Sequence, residues 1–124
     1  MYLMQFDGRG CEQSGLRPGI IFQNDVGNLH SPNIIALPLT SVIKKQHQPT
    51  HVLITASESG LKRDSMVLCE NPQCLSKERL GRYLTTLTQD VMRRVALGFL
   101  AATDVLSFLD LQTVIHAWQE ASSA

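Results

Sequence analysis

The chain changes hydrophobic period about two thirds of the way along, and that change limits the folds open to it. Its earlier apolar residues come in short runs: Ile20-Ile21-Phe22, Ile34-Ile35-Ala36-Leu37-Pro38-Leu39, His51-Val52-Leu53-Ile54 and Ser65-Met66-Val67-Leu68-Cys69. Gly, Asn, Pro and Asp clusters separate them, which is the pattern of short strands joined by turns. Many short strands at this spacing predict a small barrel or a curled sheet that protects its own edges. The segment 24–28 contains Asp25 and Gly27, residues that tolerate turn conformations, and it is expected to connect a hairpin. Later, Met92, Val95, Ala96, Phe99 and Leu100 fall at the spacing of one helix face. Thr88 is the expected N-cap, with Asp90 in the first turn. A second helical stretch is expected over about 103–121, with Phe108, Leu111, Ile115 and Trp118 on one side. The segment Ala101-Ala102-Thr103-Asp104 contains no Gly or Pro, so one long helix and two separate ones both fit.

A length of 124 residues suits one compact domain. With 44% hydrophobic and 18% charged residues, the composition is that of an ordinary globular protein without disordered or fibrous bias. The formal net charge is zero, so any polyanion must be met by a few local cations rather than by long-range attraction. No apolar stretch reaches membrane-spanning length and the N-terminus lacks signal-peptide character, so the reading is a cytoplasmic protein without a membrane segment. Cys11, Cys69 and Cys74 form no CxxC pair and are expected to be free thiols. The histidines His30, His47, His51 and His116 show no metal-binding spacing, and no P-loop, GxSxG or GxGxxG occurs. No metal or cofactor is therefore expected.

Arg17 precedes Pro18, which disfavours helix at the arginine and favours extended backbone at a strand start. A guanidinium held on such an element presents a planar fork of donors suited to phosphate. On residues alone, pairing with Glu12 at the surface is the competing role for Arg17. Thr40 closes an apolar run, so its hydroxyl is expected at the sheet rim, where phosphate contact and a structural role both fit.

Taken together, Gly10-Cys11-Glu12-Gln13-Ser14-Gly15-Leu16-Arg17-Pro18, the segment Gln23-Asn24-Asp25-Val26-Gly27-Asn28 and Pro38-Leu39-Thr40-Ser41 resemble the MazF/PemK family of toxin endoribonucleases. Three later blocks fit in the same order: Pro49-Thr50-His51-Val52, Gly60-Leu61-Lys62-Arg63-Asp64-Ser65 and Leu75-Ser76-Lys77-Glu78-Arg79-Leu80. The resemblance covers about residues 2–102, and we read 1–102 as the toxin domain and 103–124 as a helical extension packed on it or on its dimer. It implies an α+β, mainly β fold: a small SH3-like barrel of the MazF/CcdB type with C-terminal helices, usually a homodimer. It also implies metal-independent, sequence-specific cutting of single-stranded RNA, including mRNA, and neutralisation by a cognate antitoxin.

The family's catalytic arginine and threonine correspond to Arg17 and Thr40, and Glu12 is a further candidate for acid-base work. Arginine is a poor base at its ordinary pKa, so the proton carrier is left open. Single-stranded RNA is read by stacking and by hydrogen bonds to splayed bases. Phe6 is the expected stacking surface, while Cys11, Gln13, Asn24, Asn28 and Asn71 are candidate base contacts and His51 is a candidate RNA contact. Lys44, Lys45 and His47 fall in a polar stretch for which contact with the RNA backbone and simple solvation both fit.

The sequence departs from the family pattern at four places. The usual Arg-Gly-Asp opening is missing, so Met1 falls where the first strand is under way. Cys11 stands where serine is common, Glu70-Asn71-Pro72-Gln73 replaces a block that usually reads Glu-Gln-Ile-Arg, and the tail 103–124 exceeds the common core. Two alternatives follow: a protein-gripping toxin of the same fold, like the CcdB-type gyrase poisons, or a decayed, inactive toxin.

Overall fold

The computed structural model describes residues 1–7, 15–43 and 48–123. Along the chain these form β1 (Tyr2–Phe6), β2 (Gly15–Ile21), α1 (Asp25–His30), β3 (Asn33–Thr40), β4 (His51–Ile54), α2 (Ala56–Ser59), β5 (Ser65–Leu68), β6 (Gln73–Ser76), β7 (Leu80–Tyr83), α3 (Gln89–Ala102), α4 (Val105–Phe108) and α5 (Leu111–Ser123). The fold is α+β and mainly β. All strand pairings are antiparallel, in the order β4-β5-β3-β2-β1-β7, and β6 pairs with the first half of β3. Among the described residues the hydrogen-bonded path is open, ending at β4 and β7 rather than closing into a complete ladder.

β3 organises the core because both faces of its second half are covered. Ile34 and Ala36 project into a cluster with Met4, Phe6 and Leu75, while Leu37 and Leu39, of the opposite parity, join Met1, Ile20, Ile54, Val67, Val91 and Val95. A strand buried on both sides reads as a continuous apolar run rather than an alternating one, which holds for Ala36-Leu37-Pro38-Leu39, whereas Ile35 nearer the start of the strand is exposed. α3 closes the larger cluster. Thr88 caps it by accepting from the Val91 N–H at 3.3 Å, and Asp90 lies in its first turn. Gly98 lets the helix approach closely, since a Cβ there would lie 2.7 Å from Val52 Cγ2 and 2.9 Å from Cys69 Sγ. Cys69 is a buried free thiol and Cys74 an exposed one. Burial, with the charge of Glu70, pushes the Cys69 pKa up to about 12.

One local expectation is corrected and one open alternative is decided. The segment 24–28 is not a simple turn: it opens α1, with Asn24 as N-cap accepting from the Gly27 N–H at 2.8 Å. β2 and β3 still pair antiparallel on either side of it. At the other end, α3 stops at Thr103 without Gly or Pro. The Thr103 hydroxyl donates to the Phe99 carbonyl at 3.1 Å and its N–H to the Leu100 carbonyl at 3.3 Å, closing the last turn on extended backbone. α4 and α5 are therefore separate from α3, and α5 is exposed along its length. No helix among the described residues is long and apolar enough to cross a membrane.

Candidate functional site

The register of the central strands brings Arg17 and Thr40 together. β2 and β3 pair Ile21 with Ala36, Ile20 with Leu37 and Gly19 with Pro38, and just past that last pair β2 carries Arg17 and β3 carries Thr40 to the same end of the ladder. Both side chains line one cleft of about 410 Å³. On the far side of β3, Thr40 pairs with Met66, which places Ser65 and the loop before it at the same rim. Leu39, Pro18 and Leu61 provide apolar walls, and Lys62 and Arg63 add two cations.

The loop carrying those cations is built from local hydrogen bonds. α2 has a capping box in which Thr55 accepts from the Glu58 N–H, and the Glu58 carboxylate accepts from the Thr55 N–H at 3.0 Å. Gly60 ends the helix at φ 72°, a left-handed conformation that suits glycine. The Leu61 N–H then donates to Ser59 Oγ at 3.1 Å, and Asp64 Oδ1 accepts from the Ala56 N–H at 2.8 Å. These bonds fix both ends of the segment holding Lys62 and Arg63.

The cleft gathers three cations, Arg17, Lys62 and Arg63, with the hydroxyls of Thr40, Ser41 and Ser65. A chain with no net charge thus carries a local positive concentration. Thr40 Oγ1 accepts from the Val42 N–H at 3.1 Å, which leaves its hydroxyl hydrogen to donate to an oxyanion. The arrangement suits a phosphodiester: a guanidinium and hydroxyl donors aimed into a partly apolar recess. Among the described residues, no group of three or more His, Cys, Asp or Glu side chains is arranged to hold a metal ion.

The other expected site residues are dispersed. Phe6 is corrected from stacking surface to core: it is 2% exposed, packs with Met4, Ile34, Ala36 and Leu75, and turns no ring face outward. Asn24 and Asn28 follow the opposite end of β2 from Arg17 in sequence, and neither lines the cleft. Their amides serve α1, with Asn24 as its cap and Asn28 Nδ2 donating to the Gln23 carbonyl at 3.1 Å. His51 pairs with Leu68, at the other end of β5 from Ser65, and its Nε2 meets Glu70 Oε1 at 2.6 Å. Asn71 follows β5 in a turn in which its N–H donates to the Leu68 carbonyl at 3.1 Å. Neither His51 nor Asn71 lines the cleft. Cys11, Glu12, Gln13, Lys44, Lys45 and His47 lie outside the described residues. Sequence reasoning assigned no role to Lys62, Arg63 or Ser65, although two adjacent cations just after Gly60 were a usable signal.

The mostly antiparallel sheet with C-terminal helices agrees with what comparison with known proteins finds. Residues 1–102 match the family described as PemK-like, MazF-like toxins of type II toxin-antitoxin systems. The chain belongs to that family. Among curated MazF-like relatives, it is 42% identical over 86 residues to endoribonuclease EndoA of Bacillus subtilis (strain 168), covering 69% of this chain and 74% of the relative. Among solved structures, the Mycobacterium tuberculosis toxin MazF-mt6 superposes with a TM-score of 0.70 at 25% identity, over 83% of this chain and 94% of that one. A mycobacterial endoribonuclease in complex with its cognate antitoxin gives a TM-score of 0.67 at 25% identity, over 88% and 94%. The family match ends where α3 ends, so α4 and α5 lie outside it.

Proposed function

We propose that this chain is the toxin of a type II toxin-antitoxin pair, a cytoplasmic homodimer that cuts single-stranded RNA and is neutralised by a cognate antitoxin. The convergence of Arg17 and Thr40 on one cationic cleft carries the reading. The endoribonuclease name of the Bacillus subtilis relative and the antitoxin bound to the mycobacterial one support it. In the proposed reaction a ribose 2′-oxygen attacks the adjacent phosphorus and the bond from phosphorus to the 5′-oxygen breaks. The 2′-hydroxyl proton is lost, the leaving 5′-oxygen gains one, and the products are a 2′,3′-cyclic phosphate and a 5′-hydroxyl. No metal takes part in this scheme. Arg17 holds the charge that builds on the phosphoryl oxygens, and Thr40 donates to one of them and fixes the phosphate for in-line attack. Glu12 is the candidate for moving a proton.

The test is incubation of a long, mixed-sequence RNA with the purified protein in EDTA, beside Arg17→Ala and Thr40→Ala, with product ends mapped. We expect cuts at one short sequence, 5′-hydroxyl ends, and rates lowered about 100-fold or more in each variant, the usual effect of losing one transition-state donor. RNA left intact by a folded wild type would overturn the reading and favour a protein-gripping or decayed toxin. Products ending only in 3′-hydroxyls would overturn the mechanism.

A further inference from the structure

We infer that Lys62 and Arg82 form a second phosphate subsite, adjoining the Arg17–Thr40 cleft, that holds the RNA backbone one nucleotide away from the bond being cut. The inference rests on the endoribonuclease reading above. It begins with a second cleft, of about 310 Å³, which shares Pro18, Leu61 and Lys62 with the first. Leu3 and Leu84 complete its apolar wall, and Arg82 supplies a second cation. Its volume is at the lower end of those that hold small ligands. Apolar walls with two cations suit one nucleotide, its sugar and base against the leucines and its phosphate between Lys62 and Arg82.

The distribution of ion pairs points to the same surface. Elsewhere the described cations are occupied: Lys77 donates to the Asn28 carbonyl at 2.5 Å, Arg79 meets Asp7 at 2.6 Å, Arg93 meets Asp90 at 3.4 Å, and Arg94 meets Glu58. Lys62, Arg63 and Arg82 have no ion pair or side-chain hydrogen bond among the described residues, and all three line the two adjoining clefts. Scattered surface cations need no explanation. Three without partners on one continuous, partly apolar surface of a chain with zero net charge mark a place for an extended polyanion.

The backbone turns Arg82 toward that surface through a bulge. β1 and β7 pair Tyr2 with Tyr83 and Met4 with Leu80, so between those pairs Leu3 faces both Gly81 and Arg82. Two residues against one re-aims the side chains of the longer strand. Gly81 permits the close pairing, since a Cβ there would lie 3.0 Å from the Leu3 carbonyl oxygen.

The experiment uses an RNA oligonucleotide spanning the mapped cleavage sequence, with a 2′-deoxy sugar at the cut site to block cleavage. Binding is followed by fluorescence anisotropy over a salt series. Arg82→Gln is expected to weaken binding about five- to tenfold, and to reduce the salt slope by about 0.7, the share of one phosphate on a single strand. Arg93→Gln removes the same charge on α3 and is expected to bind as wild type. Replacing one phosphate next to the cut with an uncharged methylphosphonate should weaken wild type by a similar factor yet add nothing to Arg82→Gln. Arg82→Lys should recover part of the affinity. If Arg82→Gln unfolds at the wild-type temperature and binds as wild type, or if the two losses multiply at every phosphate position, the subsite is overturned while the cleavage reading stands. A wild type that cuts no RNA overturns both.

Discussion

At the scale of single residues, Phe6 tests whether a side chain near the motif belongs to the core or to the ligand. Its ring touches Gly19, where an added Cβ would lie 2.7 Å from Phe6 Cζ, and it fills the smaller cluster under β3. Phe6→Ala is therefore expected to cost about 3–5 kcal/mol of folding stability, as for other buried phenylalanines. Chemical denaturation would measure it. A stacking residue would instead lose RNA affinity at unchanged stability, and that result would restore Phe6 to the site. Sequence alone could not decide this, because an aromatic just before a polar loop is compatible with either role. Arg17 and Thr40 were legible for a different reason. Arg17 is marked by the proline that follows it and Thr40 by the end of an apolar run, and the two line one cleft beyond the last β2–β3 pair. Arg82 carried no such signal, since its position depends on a bulge between strands distant in sequence.

At the scale of elements, the runs around Ile20, Ile34, Val52 and Met66 became β2, β3, β4 and β5, because each contributes buried side chains to the core and its apolar composition says so. Gln73-Cys74-Leu75-Ser76 and Leu80-Gly81-Arg82-Tyr83 show no such pattern. They are strands because β3 and β1 offer them edges, a tertiary effect that overrides propensity. α1 escaped detection because Asn and Asp favour turns and helix starts alike. α2 links an element to pH. The Thr55 N–H, followed by the Thr55 hydroxyl and Arg94, holds the Glu58 carboxyl below its ordinary pKa. A carboxylate with a lowered folded-state pKa contributes stability above its unfolded value, and that contribution is lost as pH falls through the folded one. Glu58→Gln is thus expected to lower the unfolding temperature at pH 7. The difference from wild type should shrink steadily below about pH 4. A difference that stays constant from pH 7 to pH 3 would assign the effect to packing instead.

At the scale of the whole molecule, the stabilising apolar contacts end with α3. Every residue of the larger cluster and of the side chains packed on it lies at or before Ala102, which is also where the family match ends. Beyond it, Phe108 is 80% exposed, Leu111 75% and Trp118 69%, and Leu111, Ile115 and Trp118 fall on one face of α5. A 13-residue helix has little stability of its own in water, so α5 adds nothing to the core in this arrangement. A chain ending at Thr103 is expected to keep its denaturation midpoint, within about 0.5 kcal/mol of full length, because no buried group is removed. It should also be the more soluble form, since an exposed apolar face promotes association. Denaturation at two protein concentrations separates the alternatives. A midpoint that rises with concentration by the same amount in both chains means that any dimer contact lies within 1–102. A rise confined to full length would place α5 in contact with a second copy, as an extension packed on the dimer requires.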